Sequence, residues 1–259
     1  EGGLPYFHSV TLDPDKCVGC TTCIKKCPTE AIRVRKGKAR IIAERCIDCG
    51  ECIRTCPHGA KKALSDSLSR ALSFRYKVAI PAPSLYSQFD DAISLDRILG
   101  GLLGLGFDEV YEVAEAADLV TAATKRLIAE SEGPRPIIST ACPALVKIVQ
   151  VRFPSLIPHL APLLPPMEVA ARIVKEVLHP GEEIGVFFVS PCAGKVTAVR
   201  SPLGYQKSAV DGVIGIKDIY LPLRAAVAKA PESRLSRATR AGIRWAEPEG
   251  ETRALGLGK

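Results

Sequence analysis

The sequence lacks any apolar run approaching the roughly 20 residues that a membrane-spanning helix needs. Stretches such as "IGVFFVS" stop within about seven residues. The sequence also lacks the charged n-region, apolar h-region and cleavage site of a secretory signal peptide, and it contains no HExxH or GxSxG motif. We therefore expect a soluble protein of the reducing cytoplasm, and neither a zinc protease nor a serine hydrolase of the usual kinds.

The composition is that of a globular protein, with 47% apolar and 24% charged residues in 259. This length predicts one or two domains with a real core. The net charge of +7 is weak evidence for a nucleic-acid partner, since bound iron–sulfur clusters would offset it. The basic stretch "ESRLSRATRAGIRW" is interpreted as a solvated helix or a mobile end, and nucleic acid is an unlikely partner.

A glycine-rich stretch, "GGLLGLG" at 100 to 106, follows an apolar helix pattern instead of a strand. It lacks the lysine and Ser/Thr of a phosphate-binding P-loop. We interpret it as the C-terminal cap of a helix.

Eight of the ten cysteines form a duplicated pattern near the start of the chain. "CVGCTTCIKKCP" is followed 29 residues later by "CIDCGECIRTCP", with Ala31 and Ala60 also in register. In each copy three thiolates can converge on one cubane, while the fourth, before proline, points to the other cluster. The spacing predicts two [4Fe–4S] clusters, one bound by Cys17, Cys20, Cys23 and Cys56, and the other by Cys46, Cys49, Cys52 and Cys27.

A structural zinc site is the alternative for these cysteines, but zinc needs only four ligands and two complete repeats over-supply it. Between the repeats, "AIRVRKGKARII" alternates apolar and basic residues, which predicts a short hairpin. Over about residues 10 to 65 the sequence resembles the bacterial two-cluster ferredoxins. The resemblance implies one-electron transfer at low potential with a redox partner protein.

Strand and helix patterns alternate from Lys77 onward, beginning with "KVAIPAPSLY". Residues 66–76 are interpreted as a linker helix between residues 1–65, the ferredoxin-type domain, and residues 77–259, the larger domain. Predicted strands include "DEVYEVA", "RPIIST", "EIGVFFVS" and "VDGVIG", with helices between them. The fold class predicted is α/β, a mostly parallel sheet flanked by helices, behind an N-terminal ferredoxin-like α+β iron–sulfur module.

The two remaining cysteines, Cys142 in "STACPA" and Cys192 in "SPCAGK", follow predicted strands. Sites in parallel sheets gather at such strand ends, and a thiolate before a helix is stabilised by its N-terminus. The alternative is that each is a small buried apolar residue. A pair of thiolates can hold half of a cubane only.

Residues of this larger domain resemble the catalytic domain of the [FeFe]-hydrogenases. "STACPALVKIVQVRFPSLIPHLAP" is similar to the first signature, "VSPCAGK" to the second, and "APSLY" to a stretch lining the active site, over about residues 75 to 225. The resemblance implies that Cys142 and Cys192 are two of four ligands of the cubane half of the H-cluster. It also implies that Lys195 faces a diatomic ligand of the diiron half.

Several positions depart from that family. The third signature, which supplies two further cysteines, does not occur before Lys259; relay positions are Ala141 and Ala161, and Ser190 replaces a methionine. The acidic relay positions correspond to Glu115 and Asp118, for which a solvated helix face is the alternative. Alanine cannot relay protons, so the sequence most resembles the sensory, slow members of the family.

We therefore expect an iron–sulfur protein of anaerobic conditions that passes electrons to or from a hydrogenase-like domain, with slow turnover of H2 or protons or a sensory role. The catalytic residues stay open, with Lys195, Glu115 and Asp118 as candidates. A third [4Fe–4S] cluster or an H-cluster requires ligands from a further C-terminal segment of a longer chain. The alternative is an electron-transfer or docking protein whose α/β domain binds no metal.

Overall fold

A computed structural model describes residues 6–257, which form two compact units. The first, here called the cysteine unit, comprises the chain up to Ser65 together with Cys142–Leu160 and Cys192–Ser208. The second, here called the sheet unit, comprises Asp66–Ala141, Ala161–Pro191 and the chain from Ala209 onward. All ten cysteines of the sequence therefore belong to the cysteine unit.

The strands are β1 (Val10–Leu12), β2 (Ile32–Arg35), β3 (Lys38–Ile41), β4 (Lys61–Ala63), β5 (Lys77–Pro81), β6 (Glu109–Val110), β7 (Gly185–Ser190) and β8 (Gly212–Gly215). The helices are α1 (Thr22–Lys26), α2 (Glu51–Arg54), α3 (Leu68–Leu72), α4 (Leu95–Gly104), α5 (Val113–Glu130), α6 (Pro143–Arg152), α7 (Pro166–Arg172), α8 (Ala193–Arg200), α9 (Ile216–Lys229), α10 (Arg240–Ile243) and α11 (Gly250–Leu255). A π-helical stretch, Ile173–Leu178, continues α7.

The cysteine unit contains two small antiparallel sheets. Strand β1 pairs with β4, with Val10 opposite Ala63, and β2 pairs with β3 as the hairpin that the sequence predicts. Its apolar core is small and consists largely of cysteine and aliphatic side chains, including Cys17, Cys23 and Cys52. So small a core is typical of a domain that depends on metal ligation.

The sheet unit is built on four parallel strands in the order β6-β5-β7-β8. Every residue of β7 is buried, as expected for a strand covered on both faces. Helices α4 and α9 pack against each other, and both contribute to the main apolar core, which includes Leu99, Phe187 and Leu223. The predicted α/β class with a parallel sheet flanked by helices is confirmed.

Three local predictions differ from the structure. "RPIIST" is not a strand in the described chain, where only Ile138 forms an isolated bridge and its carbonyl accepts from the N–H of Ala161 at 2.8 Å. Gly101 and Gly104 lie inside α4 instead of capping it, because a side chain at Gly101 would meet the backbone nitrogen of Val227 on α9 at 3.1 Å. Only Gly106, with φ of +102°, has the left-handed conformation of a cap glycine.

The basic stretch after α9 is neither a mobile end nor one solvated helix. The N–H groups of Arg237 and Ala238 donate to the buried carboxylate of Glu112, at 2.6 and 3.2 Å. The N–H groups of Leu235 and Ser236 donate to Asp96 at 2.6 and 2.8 Å. Acidic side chains of the sheet unit thus hold this segment through its backbone, which the composition of the segment does not reveal.

None of the helices described between residues 6 and 257 combines the length and the apolarity of a membrane-spanning segment.

Candidate metal centre

One cavity of the cysteine unit is lined by four cysteines and encloses about 340 Å³ of atom-free space. Cys17, Cys20 and Cys23 come from the first repeat and Cys56 from the end of the second. The first loop turns at Gly19, where φ is +70° and an added Cβ would lie 2.6 Å from the carbonyl oxygen of Gly37. Only glycine therefore fits at this turn.

A second cavity has the same volume, about 340 Å³. It is lined by Cys46, Cys49 and Cys52 of the second repeat and by Cys27 of the first. Each cavity thus brings together three cysteines of one repeat and the last cysteine of the other. These are the two groups into which the spacing of the sequence divides the eight cysteines.

Backbone N–H groups point at three of these sulfur atoms. The N–H of Ala31 donates to Cys27 Sγ at 3.2 Å, and the N–H of Ala60 donates to Cys56 Sγ at 3.3 Å. The N–H of Ala39, on β3, donates to Cys17 Sγ at 3.4 Å. Such donors stabilise a thiolate and a metal-bound sulfur. The two alanines that repeat in the sequence are therefore paired donors, a role that the sequence alone does not show.

The thiols of the two repeats differ in acidity. The hydrogen bond from Ala39 lowers the pKa of Cys17, and hydrogen bonding with Thr22 lowers the pKa of Cys20. In the second repeat, burial raises the pKa of Cys46 to about 12 and that of Cys52 to about 11. Metal binding at the second cavity must therefore displace more tightly held protons.

Sequence reasoning missed the pair formed by His8 and Asp48. Asp48 is 1% exposed and accepts the N–H of Val10 at 3.0 Å, while His8 Nδ1 lies 2.8 Å from its other oxygen. Ligand atoms of His8, Asp48 and Cys46 lie within 4.8 Å of one another. Since Cys46 lines the second cavity, the pair borders that cavity. Asp48 stands where the first repeat has Gly19, and this break in the repeat was the available signal.

The two lone cysteines precede helices that contact each other. Cys142 is the N-cap residue of α6 and is exposed, and Cys192 is the N-cap residue of α8 and is half-buried. A Cβ added to Gly194 would lie 3.3 Å from the ring of Pro143 and 3.4 Å from the carbonyl oxygen of Asp48. The starts of both helices therefore meet next to the second cysteine loop.

Strand β1 holds helix α8 in this place. The buried hydroxyl of Ser9 donates to the carbonyl of Ala193 at 2.7 Å, and the N–H of Ser9 donates to Thr197 Oγ1 at 3.2 Å. Ala193 itself packs in the core of the cysteine unit. The segment after Cys192 is thus an integral part of the unit that contains the two cysteine repeats.

These two cysteines do not complete a further cluster. The sequence has ten cysteines, and eight of them line the two cavities. A cubane takes four thiolates, and Cys142 and Cys192 supply two. The donor set of this chain fits two [4Fe–4S] clusters and does not fit a complete H-cluster.

The other candidate residues have structural partners. Lys195 lies on α8, where its N–H donates to the carbonyl of Cys192 at 3.2 Å. Asp118 accepts the N–H and the hydroxyl of Thr239 at 3.1 and 2.7 Å, which caps α10. Burial raises the pKa of Glu115, on the same helix as Asp118.

The positions where the hydrogenase resemblance expects proton relay groups line a cavity of the sheet unit. Ala141 and Ala161 are both part of its lining. The neighbouring hydroxyl of Thr140 donates to the carbonyls of Ala161 and Leu163, at 3.2 and 2.8 Å. Methyl groups and an engaged hydroxyl thus occupy this wall, and neither alanine can take or give a proton.

Comparison with known families agrees with this division of the chain. Residues 9–57 match the 4Fe-4S dicluster domain. Residues 75–253, more than half of the chain, match the iron only hydrogenase large subunit, C-terminal domain.

Two curated relatives are hydrogenases. The periplasmic [Fe] hydrogenase large subunit of Nitratidesulfovibrio vulgaris is 27% identical over 213 residues, which cover 73% of this chain and 51% of the relative. Iron hydrogenase 1 of Clostridium pasteurianum is 27% identical over 264 residues, covering 88% of this chain and 45% of the relative. The chain thus spans about half the length of the curated relatives it matches.

Solved structures show the same fold. A variant of the [FeFe]-hydrogenase HydA1 from Chlamydomonas reinhardtii superposes with a TM-score of 0.56 at 19% identity, covering 73% of this chain and 57% of the other. The paired cysteine cavities, the parallel sheet and the two family matches lead to one conclusion: the chain carries a ferredoxin-like iron–sulfur module and belongs to the family of the iron only hydrogenase large subunit, C-terminal domain.

Proposed function

We propose that this protein is an iron–sulfur redox protein that carries electrons through two [4Fe–4S] clusters to or from its hydrogenase-like domain. Cys17, Cys20, Cys23 and Cys56 hold one cluster, and Cys46, Cys49, Cys52 and Cys27 hold the other. When bound, each cluster takes up or releases one electron at a time.

The single observation that carries this proposal is the pair of equal cavities, each lined by four cysteines with one cysteine exchanged between the repeats. Zinc sites take four ligands in all, whereas this arrangement has eight in two groups. The N–H groups of Ala31, Ala39 and Ala60 that donate to sulfur add support, since such donors stabilise the negative charge of a thiolate-bound cluster.

We further propose that the hydrogenase-like domain is sensory or slow, with H2 or protons as the species that it handles. Support comes from Ala141 and Ala161 in the lining of one cavity, because a proton path needs groups that accept and donate. Cys142 and Cys192 would take part in a further cluster only with ligands from another segment. A cytoplasmic, anaerobic setting accords with the many free thiols.

The proposal is tested by counting iron and acid-labile sulfide per chain after anaerobic purification. We expect about eight of each, from two cubanes. The double variant C142S/C192S is the matched control, and its iron content should equal that of the wild type. A colourless protein with zinc and no sulfide would overturn the proposal.

The same count addresses the alternative, a docking protein whose hydrogenase-like domain binds no metal. An iron content clearly above eight that falls to about eight in C142S/C192S would assign metal to the lone cysteines and exclude that alternative. A content of about eight in both proteins, with no oxidation of H2 by the holoprotein, would favour it.

A further inference from the structure

The outer face of the β2–β3 hairpin carries positive charge with unusual density. Between residues 31 and 41 the sequence has five basic residues and no acidic one. We call them the basic face; they are Arg33, Arg35, Lys36, Lys38 and Arg40. The apolar side chains of the same strands, such as Ile32 and Ala39, are buried on the opposite side.

The pairing of the two strands sets these charges against each other. Arg33 lies directly opposite Arg40, and Arg35 lies directly opposite Lys38. Like charges in directly opposed positions destabilise an antiparallel pair. Two such pairs in a hairpin of eight strand residues are a cost to stability, and costs of this kind are expected at functional surfaces.

Little in the described chain offsets this charge. Glu30 approaches Arg33 at 3.9 Å, with both side chains exposed, and such a pair contributes little. Lys38 donates to the carbonyls of Pro14 and Cys17, at 2.7 and 2.8 Å. Within residues 6–257, no carboxylate forms an ion pair with Arg35, Lys36 or Arg40.

The basic face lies beside the first cysteine cavity. The turn of the hairpin packs on the first cysteine loop, where Gly37 approaches Gly19, and the N–H of Ala39 donates to Cys17 Sγ. Val18 in that loop is 61% exposed, and Cys20 is exposed as well. An apolar and sulfur-bearing edge of the first cavity therefore reaches the surface next to a ring of positive charge.

We propose that the basic face is the docking surface for an acidic one-electron carrier protein, which exchanges electrons with the first cluster. This inference rests on the proposed function, because it needs a cluster bound by Cys17, Cys20, Cys23 and Cys56. In the reductive direction the carrier loses one electron and the first cluster gains it, and no bond is formed or broken. Opposite charge on the two partners steers their encounter, and Val18 supplies an apolar contact at the centre of the contact area.

The test uses the anaerobic holoprotein and, as the carrier, a reduced bacterial ferredoxin of net negative charge. Stopped-flow absorbance gives the bimolecular rate of electron transfer. For the wild type we expect this rate to fall roughly tenfold or more as the Debye length shrinks from about 30 Å to about 3 Å. The variant R35E/R40E should be slower by about tenfold at low salt and nearly independent of salt.

The variant is designed so that the hairpin keeps its fold. Glutamate at 35 faces Lys38 and glutamate at 40 faces Arg33, so both like-charge pairs become opposite-charge pairs. The control K125E/R224E makes the same change of charge at two exposed positions of the sheet unit, and its rate should stay within about twofold of the wild type. Iron content and complete reduction by dithionite at equilibrium establish that the clusters of each protein are intact.

Equal rates for R35E/R40E and the control would overturn the docking surface, as would a wild-type rate that does not depend on salt. Binding of duplex DNA or RNA that is lost in R35E/R40E, with an unchanged rate from the ferredoxin, would assign the basic face to nucleic acid and also overturn it. Failure of the proposed function gives a different result, namely a protein that accepts no electrons from dithionite or from the ferredoxin.

Discussion

His8 Nδ1 lies 2.8 Å from Asp48 Oδ2, so a residue before β1 is paired with the middle of the second cysteine loop. Asp48 has φ of +50° and is buried, and its second oxygen accepts the N–H of Val10. A short polar side chain is among the few that tolerate this backbone conformation. The pair therefore links β1 to the loop that carries Cys46 and Cys49.

Replacement of Asp48 by alanine should destabilise the cysteine unit. It leaves the buried N–H of Val10 and the ring of His8 without their acceptor, and a buried unsatisfied donor costs about 1–3 kcal/mol. We expect a lower urea midpoint for the holoprotein, followed anaerobically by visible absorbance as the clusters are lost. Asp15, an exposed acidic residue, provides the control D15A. Equal midpoints for D48A and D15A would show that the pair is not structural.

The sheet unit contains a second histidine pair, which predicts a pH dependence of stability. His179 Nε2 lies 2.7 Å from Glu109 Oε2, and the hydrogen bond with Glu109 raises the pKa of His179 above its usual 6.5. A raised pKa in the folded state stabilises the fold below the unfolded value, and this contribution is lost as the pH rises through the folded value. The urea midpoint of the sheet unit should therefore decrease as the pH rises from about 6.5.

Replacement of Glu109 by glutamine tests that dependence, since it removes the main cause of the raised pKa. Circular dichroism of the helices gives the midpoint at each pH. E109Q should lose the decrease above pH 6.5, whereas E130Q, which removes an exposed carboxylate from α5, should keep it. The same slope in both variants would contradict the assignment to His179.

The spacing of the sequence predicted the division of the eight cysteines between two cavities because three-residue and four-residue steps fix where thiols can converge. It also predicted the β2–β3 hairpin, since period-two alternation around Gly37 leaves few other structures. The parallel sheet followed from apolar runs such as the one that forms β7, which is buried throughout.

Long-range contacts could not be read in the same way. The pairing of His8 with Asp48 joins residues 40 positions apart, and Ser9 reaches Thr197 across 188 positions. The predicted strand at "RPIIST" had the composition of a strand but keeps only a single bridge at Ile138. The segment held by Glu112 looks like a mobile basic tail in sequence, because its own side chains take little part in the bonds to that carboxylate.

The exchange of one cysteine between the repeats is the central claim, and electron paramagnetic resonance of reduced C27S tests it most directly, with C56S as the matched variant and C142S as the control. Cys27 lines the cavity of the second repeat and Cys56 that of the first. We predict that C27S alters the signal of the cluster bound by Cys46, Cys49 and Cys52, that C56S alters the other signal, and that C142S alters neither. Damage in C27S confined to the cluster of Cys17, Cys20 and Cys23 would contradict the account.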